Sequence, residues 1–118
     1  MIVSKTFSFA IKIINIYKEL VDNQKEYVLS KQLLRSGTSI GANVNEGVCS
    51  ISKNDFRYKL STAYKEAKET EYWLKLLVAT HYLNKKEAAA LQRDCHEICL
   101  ILSSILRKCY PERNSRTN

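Results

Sequence analysis

Proline and glycine are scarce: the 118 residues hold one Pro and three Gly, and the single proline, Pro111, sits almost at the C-terminus. Strand-rich folds need turn residues at short intervals, so this scarcity excludes a sandwich or barrel and leaves long uninterrupted helices. Histidine is scarce too, with only His81 and His96. Neither adjoins a nucleophile motif, and no glycine-rich phosphate loop is present, so the sequence reads as a non-enzyme. No apolar run approaches the roughly 18 residues of a membrane span. Residues 1–12 lack the charged, apolar, small-residue order of a secretion signal, and a cytoplasmic protein with no membrane contact is expected. The four cysteines, Cys49, Cys95, Cys99 and Cys109, are then expected to be reduced thiols.

What is present points to one globular domain over residues 1–118. Hydrophobic content is 45%, enough for a continuous core without disulfides or metals. Formal charge is +7, from 19 Lys+Arg against 12 Asp+Glu. That excess suits an anionic partner such as RNA or DNA, although long-range attraction says nothing about fold.

Apolar spacing predicts an all-α, antiparallel up-down-up-down four-helix bundle with short loops, its helices near residues 4–22, 27–49, 53–80 and 85–109. In the first, Ser4 is the expected N-cap, and Phe7, Ala10, Ile14, Tyr17 and Val21 follow the three-four spacing of a seam. Ile11, Ile13, Ile16 and Leu20 widen that stripe beyond what one chain needs to cover, so part of the cover is expected from another subunit. In the second, Leu33, Ile40 and Val44 carry the period through Gly37 and Gly41. Each glycine costs about 1 kcal/mol in a helix interior. Their spacing of four stacks them on one side, where the backbone of another helix or another subunit can approach closely; a helix broken near Gly37 is the alternative. The third seam is Phe56, Leu60, Ala63, Ala67, Thr70, Leu74 and Leu77, with Glu71 placed to pair with Lys75. The fourth, capped by Asn84, runs Ala88, Leu91, Cys95, Ile98, Leu102, Ile105 and Cys109. Pro111 ends it, and residues 112–118 are expected to be a disordered tail.

Cys95, His96 and Cys99 share neighbouring helical positions, but a second ligand pair is missing and free cysteine is a small core hydrophobe, so no metal or other cofactor is expected. Arg35, Ser39, Asn43 and Glu46 form a polar stripe on the second helix. Arg35 and Glu46 lie too far apart to pair within it, so each needs a partner elsewhere, with Glu66, Glu69 and Glu71 open to Arg35. The stripe reads either as a solvated face or as a structural polar network that fixes register or assembly. For nucleic acid, the candidate cations are Lys53, Arg57, Lys59, Lys65, Lys68, Lys75, Arg107 and Lys108, with Arg113 and Arg116 in the tail. Acidic residues interleave with them, and contact with phosphate needs no base-reading motif.

The segment Leu34-Arg35-Ser36-Gly37-Thr38-Ser39-Ile40-Gly41-Ala42-Asn43-Val44-Asn45-Glu46-Gly47 closely resembles the hallmark of bacterial four-helix-bundle proteins encoded by intervening sequences in 23S ribosomal RNA genes, also labelled a 23S-type ribosomal protein. The family pattern falls on Leu34, Arg35, Ser39, Ile40, Asn43, Glu46 and Gly47. Phe56, Leu60, Ala63, Glu71, Leu74, Tyr82 and Leu83 fit further along, so the likeness covers nearly the whole chain. The resemblance implies a homopentamer with a central channel. It also implies kinship with the accessory variability protein of diversity-generating retroelements, a basic pentamer that associates with nucleic acid and a reverse transcriptase.

Overall fold

Local capping chemistry sets where three of the four helices start. The computed structural model describes residues 1–109 and holds four helices: α1 (Ile2–Asp22), α2 (Leu29–Val48), α3 (Lys53–Ala79) and α4 (Lys85–Cys109). No strand occurs among the described residues. The expected disordered tail, with Arg113 and Arg116, lies outside them. α1 begins two residues before Ser4, whose hydroxyl bonds back to the Met1 carbonyl from within the first turn instead of capping. α2 begins at Leu29 rather than near Tyr27, because the Glu26 carboxylate accepts from the N–H groups of Val28, Leu29 and Ser30 and fixes the start there. Such orphan first-turn donors need an acceptor, and Glu26 supplies one. The Ser52 hydroxyl caps α3 by accepting from Asp55 N at 3.0 Å. The Asn84 side chain does the same for α4 at Glu87 N, 2.8 Å away. Between α3 and α4 the chain reverses through His81, whose φ of 69° is left-handed, while Tyr82 N and Leu83 N both reach the Leu77 carbonyl.

Successive helices run antiparallel, and α1 closes the bundle by packing on α4 as well as α2. Two salt bridges join that last pair, Lys5–Glu97 at 3.0 Å and Lys12–Asp94 at 2.8 Å. The core takes Leu33, Ile40 and Val44 from α2, Leu60, Ala63, Ala67, Leu74 and Leu77 from α3, and Ala88, Leu91, Cys95, Ile98 and Leu102 from α4. From α1 it takes Thr6, Phe9, Ile13 and Leu20. This corrects the sequence reading of α1: Phe7 and Ile14 of the expected seam face solvent, with Ile11 beside them.

The reason lies in α2, which is continuous through both glycines. Gly37 receives Ile13, and Gly41 receives the backbone and hydroxyl of Thr6. The close approach that the glycines permit is therefore to α1 of the same chain, not to a second copy.

One buried polar contact ties α2 to α3. Thr70 Oγ1 stands 2.9 Å from Ser36 Oγ and 2.8 Å from the Glu66 carbonyl, and both residues are fully buried. Ser36 otherwise reaches only the Leu33 carbonyl, at 3.4 Å. Thr70→Val, which strips this partner from a buried hydroxyl, should cost about 1–2 kcal/mol in urea unfolding. The double variant Ser36→Ala/Thr70→Val should recover most of that loss, because neither polar group then remains unpaired. Additive losses in the cycle would mean that the two hydroxyls do not interact.

Candidate functional site

The outer side of the α2–α3 pair holds the polar stripe. Arg35 lies between two carboxylates of α3: Nη2 donates to Glu69 Oε1 at 2.6 Å, and Nη1 stands 3.5 Å from Glu66 Oε1. The Trp73 indole N–H donates to the same Glu69 oxygen at 3.2 Å. Glu46, almost three turns further along α2, pairs with Lys59 of α3 at 2.8 Å. Both charged ends of the stripe thus find partners on α3. Between them, Ser39 Oγ donates to the Arg35 carbonyl and Asn43 Nδ2 to the Ser39 carbonyl, inside α2 itself. Arg35 and Glu46 remain exposed, so these are surface ion pairs that orient two helices, each adding little to stability. Glu71 does not join Arg35 or pair with Lys75; it bonds Lys68 at 2.9 Å and lies 3.5 Å from His96 Nδ1.

The proposed cations do not gather into one patch. Lys65, Lys68 and Lys75 stand on the outward side of α3, and all three are exposed. Lys59 turns toward α2, where its bond to Glu46 raises its pKa, and Glu71 does the same for Lys68. Arg57 donates to the Cys109 carbonyl at 3.2 Å and bonds Asn54, tying the start of α3 to the end of α4. Lys53 is exposed at the same end of α3, and Arg107 and Lys108 fill the last turn of α4, where cations complement the helix dipole.

Cys95 is fully buried, its thiol donating to the Ala67 carbonyl at 3.3 Å. Its hydrogen-bonding proximity to Cys99, which favours the protonated Cys95, and burial together push its pKa up, so it persists as a thiol packed in the core. Among the described residues no cluster of three or more His, Cys, Asp or Glu side chains is arranged to hold a metal ion.

Residues 1–104 match the family model for the 23S rRNA-intervening sequence protein. The chain belongs to that family. The solved structure of a protein of unknown function from the S23 ribosomal protein family of Bacteroides thetaiotaomicron is similar throughout. It is 48% identical in sequence, with a TM-score of 0.89 over 91% of this chain and 99% of that one. No curated protein matches the sequence significantly. Within this chain, the hallmark segment forms the face of α2 that meets α1 through Gly37 and Gly41 and α3 through Arg35, Ser36 and Glu46. Gly37, Gly41, Arg35, Ser36 and Glu46 of the segment thus serve contacts between helices of the bundle. No helix among the described residues is long and apolar enough to cross a membrane.

The surplus apolar surface of α1 was expected from the sequence, but which residues form it was not, and the aromatic content of the α3 surface was missed. Exposed Val3, Phe7, Ile11 and Ile14 make the first. Tyr58 and Tyr72, 66% and 56% exposed, belong to the second. Their spacing of fourteen, with Lys65 midway, was available in the sequence as a signal, since positions seven apart return to nearly the same helical face.

Proposed function

We propose that this protein is a non-enzymatic, cytoplasmic, homo-oligomeric bundle, assembling as a pentamer, that binds RNA or DNA as an accessory or scaffold factor. The observation that carries this reading is the division of its surface. α1 and α3 each pack on α2 and α4 and so occupy opposite corners of the bundle. α1 presents an uncovered apolar stripe, and α3 presents lysines. Clustered exposed apolar side chains mark interaction surfaces. A face that repeats in every copy favours a closed ring, and the family resemblance supplies the number five. Assembly through α1 leaves the basic side of α3 in solvent, available to phosphates.

Light scattering tests the assembly. The wild-type mass is expected near five times the chain's 13.6 kDa, and Phe7→Glu/Ile14→Glu should reduce it to one chain with helical content intact. A monomeric wild type would overturn the self-assembly. Gel shifts with structured RNA across a salt series test the ligand, for which binding should weaken steeply as salt rises. A second reading, a protein-only assembly module, draws support from the pairing of Lys5, Lys12, Lys59 and Lys68 with carboxylates. It would be upheld by a stable partner complex that survives nuclease treatment.

A further inference from the structure

We infer that the outer ridge of α3 is a stacking surface for single-stranded nucleic acid, an inference that rests on the nucleic-acid reading above and names the form of its ligand. Tyr58, Ser61, Lys65, Lys68, Tyr72 and Lys75 are spaced by three and four, so they fall on one helical face. That face lies opposite the buried Ala63 and Thr70. Exposed tyrosines present a flat aromatic ring to solvent, with a polar tip. Here two of them share one line with lysines set between and beyond them.

The charges on the ridge are uneven in a way that fits a phosphate track. Lys65 and Lys75 form no ion pair among the described residues, and Lys68 alone is held, by Glu71. The neighbouring Glu69 is already occupied by Arg35 and Trp73, which offsets its repulsion of a polyanion. Tyr72 is braced edge-on against the Trp73 ring at 5.2 Å, and Lys59 lies 5.9 Å from the Tyr58 ring centre. Both phenols are thus partly oriented before any ligand arrives, which lowers the ordering cost of binding.

Fourteen residues of helix put the two tyrosines about 21 Å apart along the axis, the length of roughly six stacked nucleotides at about 3.4 Å each. Bases stack on aromatic rings whatever their identity, while lysines between the rings meet the backbone phosphates. In a duplex the bases are already stacked on one another and offer the tyrosines nothing. The ridge therefore selects single strands, without base preference.

The test is fluorescence anisotropy with the full chain, using a labelled mixed-sequence RNA of about 12 nucleotides, free and annealed to its complement. Tyr58→Ala and Tyr72→Ala should each weaken single-strand binding about tenfold, and Tyr→Phe at both sites should retain it. Duplex binding should be unmoved by either change. Lys65→Gln/Lys75→Gln should weaken both forms and flatten the single-strand salt dependence by about 0.7 per lysine. All four positions are exposed, so circular dichroism should report unchanged folds. Unaltered single-strand affinity in the tyrosine variants, with a loss in the lysine variant, would overturn the stacking surface and leave the nucleic-acid reading standing. A wild type that binds neither probe at low salt would remove both. A changed solution mass in the tyrosine variants would show the ridge to be a contact between copies and overturn the inference.

Discussion

Gly37→Leu should cost this protein about 3 kcal/mol or more, through overpacking at the contact between α1 and α2. A Cβ at position 37 would stand 2.8 Å from both Cγ1 and Cγ2 of Ile13. Ile13 is completely buried, and a β-branched side chain has no alternative rotamer to retreat into within a helix. Even Gly37→Ala should lose about 1 kcal/mol: the helix-propensity gain of about 1 kcal/mol is smaller than a typical overpacking cost of about 1–3 kcal/mol. Gly41 is the internal control. Its nearest neighbours, the backbone and hydroxyl of Thr6, would lie 3.4 Å from a new Cβ, at ordinary contact distance. Gly41→Ala should then keep most of the propensity gain and raise stability by up to about 1 kcal/mol. Urea unfolding of the three variants separates these signs. Stabilisation by both alanines would mean that α1 does not seat against Gly37 as described.

Glu26→Ala is expected to cost about 1–2 kcal/mol at neutral pH, through loss of the acceptor that starts α2. Its carboxylate receives the N–H of Ser30 at 2.7 Å, of Leu29 at 3.1 Å and of Val28 at 3.3 Å. Burial acts to raise the carboxyl's pKa, but the three backbone donors favour the anion and hold it below the ordinary 4.5. A group whose pKa is lower in the folded than in the unfolded chain adds stability above its unfolded value. That contribution is lost as pH falls through the folded value. The gap between wild type and Glu26→Ala should therefore be constant at neutral pH and close progressively below pH 4.5. Glu26→Gln keeps an acceptor oxygen without the charge, so it should be intermediate in stability and insensitive to this titration. Thermal melts across the acid range would show it; a gap that widened on acidification would contradict the capping role.

α3 and α4 were legible from sequence almost side chain by side chain. Leu60, Ala63, Ala67, Thr70, Leu74 and Leu77, and then Ala88, Leu91, Cys95, Ile98 and Leu102, are all buried as their spacing requires, while Phe56, Ile105 and Cys109 of the same seams, near the helix ends, are only half-buried. Each of those helices carries one dominant apolar stripe, so a single orientation satisfies it. α1 was ambiguous because it is apolar around most of its girth. Phe7–Ile14–Val21 and Phe9–Ile13–Leu20 are equally good three-four stripes, and no count within α1 can choose between them. The need of Arg35 and Glu46 for partners on another helix was readable from their separation, but the identity of Glu69 and Lys59 as those partners was not. Glu26 escaped notice because its side chain acts on residues ahead of it, in a stretch that reads as an ordinary polar turn.

The sequence by itself determined the helical class, the bundle topology and the family, because periodicity, caps and the scarcity of turn residues are properties of single segments. Only the tertiary structure decided which face of α1 turns inward, and hence which apolar side chains remain for another molecule. The reason is steric: the notch at Gly37 admits Ile13, the notch at Gly41 admits Thr6, and α1 can satisfy both in one rotation about its axis, which leaves Phe7, Ile11 and Ile14 in solvent.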